Sequence, residues 1–129
     1  MDAKRLGVLF EQRLHGAFSR DAIRHGFIWD PEEMLPVDIY DMSLGQPLLD
    51  IKLRHATGSF DVTPAQRKAG VLLVFYRATE NGWFVPTKFI VKVVLLRRIS
   101  DVKKMRLRLF LRDVLKVRRS SRYMPGSFI

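Results

Sequence analysis

The side chains with chemistry in this chain are acids and one lysine held in a short span: Asp38, then Asp50 and Lys52 in Asp50-Ile51-Lys52. They lie in the runs Leu35-Pro36-Val37-Asp38-Ile39-Tyr40-Asp41-Met42 and Pro47-Leu48-Leu49-Asp50-Ile51-Lys52-Leu53, joined by Ser43-Leu44-Gly45-Gln46. Both runs are rich in apolar and β-branched residues, and the join is short, polar and carries a glycine, which predicts two antiparallel strands and their turn. Side chains alternate along a strand, so Asp50 and Lys52 share one face while Leu49, Ile51 and Leu53 share the other. Paired this way, Asp38 and Asp50 converge on one divalent cation, a hard ion suited by carboxylates, water and a backbone carbonyl, for which Ile51 is the natural donor. Lys52 beside that ion would hold an attacking water or neutralise charge developing on a phosphate, the effects that dominate phosphodiester cleavage. An Asp-x-Lys on a strand is by itself more often a solvated strand face, so its meaning depends on what surrounds it.

The elements that must position these groups can be read outward from them. From about Ala3 to Arg20, Leu6, Phe10, Leu14 and Ala17 or Phe18 recur at three or four, an amphipathic helix with Asp2 as its cap. Glu11 sits on it one turn after Gly7; beside Arg13, it also reads as an ordinary exposed helix acid. A short strand follows from Arg24 to Trp29, with Phe27 and Trp29 on one side and Ile28 on the other. Asp30 to Pro36 is an acidic loop bounded by two prolines. Beyond the hairpin, Arg54 to Asp61 reads as a loop in which His55 could touch a phosphate, solvation being the preferred reading. Thr63 then caps a helix with Pro64 at its first position, which places Gln66 in the first turn, pointing back toward the hairpin. Arg67 and Lys68 follow on that helix, available to a nucleic-acid backbone or merely solvated.

The order of these residues, Glu11 on a helix, Asp38, Asp50-x-Lys52, then a helix bearing Gln66, resembles the PD-(D/E)xK nuclease superfamily. Pro36-Val37-Asp38 stands where that family has Pro-Asp. The spacing is most similar to archaeal Holliday-junction resolvases, which share a Gly-x-x-x-Glu in the first helix, here Gly7-Val8-Leu9-Phe10-Glu11. The resemblance implies a restriction-endonuclease-like fold and hydrolysis of DNA with Mg²⁺, for which Mn²⁺ substitutes. It implies that Asp38, Asp50, the Ile51 carbonyl and Glu11 hold the metal, Glu11 directly or through water. Lys52 would activate water and Gln66 would position water or a phosphate. It also implies a homodimer. The chain departs from the resolvases in one respect: they carry a functional serine before their aspartate, and Asp30-Pro31-Glu32-Glu33-Met34-Leu35 has none, which bears on junction selectivity and not on metal-dependent cleavage.

The last third of the chain predicts more sheet and then a basic segment. Gly70 to Ala78 is a nearly continuous apolar run, the mark of a strand covered on both faces. Asn81-Gly82 is a turn leading back through Trp83, Phe84 and Val85, Pro86 is a bend, and Phe89 to Leu96 is a strand or a buried helix. Of the aromatics Phe75, Tyr76, Trp83 and Phe84, core is the preferred reading for all but Trp83. Ser100-Asp101 caps a helix running to about Arg118, with Lys104, Arg108, Arg112, Lys116 and Arg119 along one side and Leu107, Phe110, Leu111, Val114 and Val117 along the other. The alternation from Met105 to Leu111 leaves a strand as the competing reading.

Length and composition bound these readings. With 129 residues, 47% of them hydrophobic, there is room for one core: a domain over 1–118 and a tail over 119–129. There is no cysteine, which excludes disulfides, thiolate zinc and iron–sulfur chemistry. No apolar run is long enough for a bilayer and the N-terminus does not read as a signal peptide, so a cytoplasmic protein is expected. The net charge of +10 is uneven: Met1 to Leu96 holds twelve Lys and Arg against eleven Asp and Glu, Arg97 to Ile129 eleven against two. A localised basic block fits a polyanion. The expectation is therefore an α/β domain, a mixed central sheet flanked by helices, acting on DNA. Its rivals are a non-catalytic nucleic-acid-binding module of the same fold and an assembly factor that docks through its C-terminal helix.

Overall fold

In the computed structural model, which describes residues 3–30, 35–55, 61–77 and 90–116, the N-terminal apolar repeat forms helix α1 (Ala3–Arg24). Phe10, Leu14 and Ala22 are buried along one stripe, while Gln12, Arg13 and Arg20 are exposed. The helix outruns its predicted end at Arg20, because Asp21 to Arg24 contain no breaker and Ala22 continues the buried stripe. Gly26 stops it: its φ of +83° is left-handed backbone that glycine adopts without a steric penalty, and its N–H returns to the Ile23 carbonyl. Strand β1 (Phe27–Trp29) is correspondingly shorter than expected, with Phe27 and Trp29 buried and Ile28 exposed as the alternation predicts.

Strands β2 (Ile39–Asp41) and β3 (Gln46–His55) form the predicted hairpin, closed by a turn in which Gly45 has φ +63°. Two boundaries differ from expectation. The first arm is only three residues long, since at Asp38 side chains take over from the ladder: the Ile51 N–H donates to the Asp38 carboxylate at 2.7 Å and the Asp38 N–H to the Asp50 carboxylate at 3.0 Å. The second arm runs on through Arg54 and His55, expected to be loop, because β4 (Val71–Arg77) supplies them with partners at Tyr76 and Arg77.

Helix α2 (Pro64–Ala69) makes the crossover from β3 to β4, which pair in parallel; all other neighbours are antiparallel, giving one mixed sheet in the order β1-β2-β3-β4-β5. Val71 to Phe75 are fully buried, as a central strand requires. Phe89 to Leu96 resolves as a strand, β5 (Ile90–Leu95), which pairs with β4 over its whole length. The main core lies between the face carrying Leu49, Ile51, Leu73, Phe75, Val91 and Val93 and the helices α1 and α3 (Asp101–Leu109). Phe10 meets Phe75 edge-on at 5.2 Å, and Phe27 meets Phe110 at 5.0 Å. The chain is thus a mixed α/β fold. Among the described residues no helix is long and apolar enough to cross a membrane.

The C-terminal basic helix begins as predicted, with the Ser100 hydroxyl accepting from the Lys103 N–H, but it does not reach Arg118. After Leu109 it widens into a π-helical turn (Phe110–Val114) capped by Leu115, and Lys116 beyond it has φ +56°. Part of its charge is structural, contrary to reading the whole block as a polyanion surface. Lys103 is 3% exposed and donates to the Pro47 and Ala69 carbonyls, stitching α3 to the start of β3 and the end of α2; burial, and then the charge of Arg97, lower its ammonium to about 8. Arg106 lies over the Phe27 ring and donates to the buried Asp41 carboxylate at 2.8 Å and the His25 carbonyl at 2.7 Å. The Asp2 cap, residues 31–34 and 56–60, the Asn81-Gly82 turn with Trp83 and Phe84, and everything from Val117 on, Arg119 included, lie outside the described residues, as do the side chains of Leu6, His55 and Tyr76.

Candidate functional site

Three devices of local structure bring the acids together. The exchange of backbone N–H groups between Asp38 and the Asp50-Ile51 pair holds the two carboxylates side by side where the hairpin ladder stops. A capping box at the start of α2 then aims Gln66: the Thr63 hydroxyl accepts from the Gln66 N–H at 3.1 Å, and the Gln66 Oε1 accepts from the Thr63 N–H at 3.0 Å. With Oε1 committed to the cap, the amide nitrogen of Gln66 faces Asp50 and donates to its Oδ2. Finally α1, packed by Phe10 against Phe75, presents the next residue, Glu11, to the same place. The result is a cavity of about 400 Å³ lined by Glu11, Asp38, Asp50, Ile51, Lys52, Thr63 and Gln66, with Leu35, Pro36 and Val37 at its wall.

Asp38 and Asp50 are only 6% and 8% exposed, and this dominates their electrostatics. Burial pushes both carboxyls up to about 8. For Asp38 the hydrogen bond with Asp50 pulls the other way and the carboxyl of Glu11 pushes it further up; for Asp50 the carboxyl of Asp38 adds to the rise, and the bond from the Asp38 N–H and the charge of Lys52 oppose it. Near neutral pH the pair therefore carries a proton or needs a cation.

The donor set fits a small hard ion. Among the described residues no three acidic or histidine side chains form a ready-made metal cage. Two carboxylates are what Mg²⁺ takes from a protein while it keeps several waters. The Ile51 N–H points toward Asp38. A strand residue's C=O points to the same edge as its N–H, so the Ile51 carbonyl lies on the side from which Asp38 approaches. Glu11 lines the same cavity, with its carboxyl against Asp38.

Every residue assigned to the acid site lines this one cavity: Glu11, Asp38, Asp50, Ile51, Lys52 and Gln66. Glu11 is buried, so its reading as an ordinary exposed helix acid is not upheld. The basic residues are placed elsewhere. Arg67 and Lys68 are exposed on α2; Lys104 is half-buried, and Arg108, Arg112 and Lys116 are exposed beyond it, with Arg112 held on Asp113 at 2.6 Å. Thr63, expected only to cap α2, also lines the cavity and fixes the amide that holds Asp50. The signal for this lies in the sequence, since Thr-x-x-Gln is a capping box as well as an N-cap. A scan against protein-family models and searches of curated proteins and of solved structures find no match for this chain.

Proposed function

We propose that the chain is a Mg²⁺-dependent endodeoxyribonuclease with a restriction-endonuclease-like fold, related to the PD-(D/E)xK nucleases and most similar among them to Holliday-junction resolvases. The observation that carries this reading is the meeting of Asp38, Asp50, Lys52, Gln66 and Glu11, drawn from two helices and a hairpin far apart in sequence, in one cavity whose buried acids carry a proton or need a cation near neutral pH. The element order agrees with it: a helix bearing the glutamate, three antiparallel strands with one aspartate just before the second and the other aspartate and the lysine on the third, then a helix bearing the glutamine and a parallel fourth strand. Its substrate is DNA, duplex or branched, and it works in the cytoplasm as a homodimer.

Mg²⁺, or Mn²⁺ in its place, would supply a bound water of lowered pKa and charge neutralisation at the phosphate. The residues divide the remaining work. Asp38 and Asp50 would hold the ion with the Ile51 carbonyl, and Glu11 would support it directly or through water. Gln66 keeps Asp50 in place through a hydrogen bond that is itself anchored by the capping box. Lys52, on the Asp50 face of β3, holds the nucleophilic water and meets negative charge growing on the phosphate.

A second reading has its own support. The same carboxylates accept backbone N–H groups that the hairpin would otherwise leave unpaired, so they have a structural task even in a non-catalytic nucleic-acid-binding module. The two readings part in a cleavage assay on labelled four-way junction, duplex and single-stranded DNA with Mg²⁺ or Mn²⁺. The nuclease predicts metal-dependent cutting that falls at least about a hundredfold in Lys52→Ala, with DNA binding retained, and disappears in Asp50→Ala. DNA binding without cutting under either metal would leave the module.

A further inference from the structure

The positive charges that follow β5 are of two kinds. Arg106 and Arg112 each rest on an aspartate, and Lys103 is buried on carbonyls. Arg97 and Arg98 do neither. Both are exposed where the chain leaves β5, and Arg97 folds back over the end of α2, beside the exposed Arg67 and Lys68. Among the described residues none of these four makes an ion pair, and Asp61 and Asp101, the acids nearest to them in sequence, make none either.

Arg97 is also held in place. Its Nε and Nη2 donate to the Lys68 carbonyl at 3.0 and 2.7 Å and its Nη1 to the Arg98 carbonyl at 3.3 Å. Three of the five guanidinium N–H groups are used in this way and two are left for a ligand. The stem crosses Gly70, where a Cβ would meet Arg97 Cγ at 3.0 Å and where φ is +88°. Glycine is thus needed there both for the turn and for the close approach of the arginine. Four exposed cations on two adjoining segments, none in an ion pair and one fixed on its neighbour's carbonyl, present positive charge that a polyanion stabilises.

We propose that Arg67, Lys68, Arg97 and Arg98 form a clamp for the sugar–phosphate backbone of DNA, separate from the stripe on the C-terminal helix. Its place relative to the cut rests on the nuclease reading: on α2 the amide of Gln66 that holds Asp50 and the carbonyl of Lys68 that holds Arg97 are two residues apart, about 3 Å of helix rise. One short rigid element therefore sets the spacing between the acid site and the clamp. Contacts of this kind fix register and affinity and carry no base information.

The test is binding of a fluorescent duplex to the full chain in EDTA across a salt series, comparing wild type with Arg67→Ala/Arg98→Ala. Both side chains are exposed and neither lines the acid cavity, and a thermal melt checks that the variant is folded. Loss of two phosphate contacts lowers the slope of log affinity against log salt by about two, so that between about 50 and about 200 mM salt the wild type loses roughly tenfold more affinity than the variant. Arg97→Lys, which keeps the charge but not the fork, weakens binding with the slope unchanged. An unchanged slope in the folded double variant overturns the clamp even if the protein cuts DNA. A lowered slope in a protein that never cuts upholds the clamp and sinks the nuclease.

Discussion

Replacing Asp38 with asparagine should stabilise the metal-free protein, the reverse of the usual effect of changing a buried, hydrogen-bonded residue. The folded-state value of Asp38 is raised from 3.8 to about 8. Its cost to stability is therefore absent below about pH 4, grows as the pH rises from there and levels off above about pH 8. At about 1.4 kcal/mol per unit the ceiling is about 4 kcal/mol at pH 7 and below about 2 kcal/mol at pH 5. The introduced amide can keep the bond from the Ile51 N–H through its oxygen and turn its nitrogen toward the carboxyls of Asp50 and Glu11, which it then serves as donor. Those two acids stay buried, so roughly half of the ceiling is recovered: about 2 kcal/mol at pH 7 and under about 1 kcal/mol at pH 5. Urea unfolding in EDTA at the two pH values reads the difference directly. Saturating Mg²⁺ should reverse the ranking, since only the wild type gains binding free energy, about 3 kcal/mol at a hundred times Kd. An Asp38→Asn protein less stable than wild type by about 1 kcal/mol or more at pH 7, or a gap that widens as the pH falls, would refute the account of the acid pair.

Two further outcomes follow from the same geometry. Because the raised carboxyls must ionise to ligate, Mg²⁺ binding near pH 7 should release protons and tighten as the pH rises toward about 8, and then level off; calorimetry in buffers of different ionisation enthalpy measures both, and pH-independent binding without proton release would contradict it. Gln66→Glu keeps the acceptor for the Thr63 N–H but sets a carboxylate oxygen against Asp50, whereas Gln66→Ala loses the reciprocal half of the capping box and the donor to Asp50 together at a cost of about 1–2 kcal/mol at any pH. Only the Glu variant should regain stability at pH 5 or on adding Mg²⁺, and thermal melts that move in parallel for the two would show that the amide does not orient Asp50.

Local patterning was enough to determine much of this protein. The alternation in Phe27-Ile28-Trp29 decided which residues of β1 are buried, the glycine between two apolar runs decided the hairpin, and Thr63-Pro64 decided where α2 begins, because each rests on a preference that acts within a few residues. The ends of elements were less legible. Whether Arg54 and His55 are strand or loop depends on β4 lying alongside, and the short first arm of the hairpin depends on carboxylates replacing carbonyls, neither of which is visible in a window of sequence. The charge of the basic block was countable, but its division was not. Lys103, Arg106 and Arg97 sit in the same cationic run and are sorted only by what the fold places against them: a pair of carbonyls, a buried aspartate and an aromatic ring, or an open helix end. Glu11 marks the limit most clearly. Its spacing from Gly7 permitted an exposed helix acid as readily as a site residue, and what decided was the packing of Phe10 against Phe75, which turns that helix so that Glu11 meets Asp38 and Asp50 in water-poor surroundings where a carboxylate needs a proton or a cation.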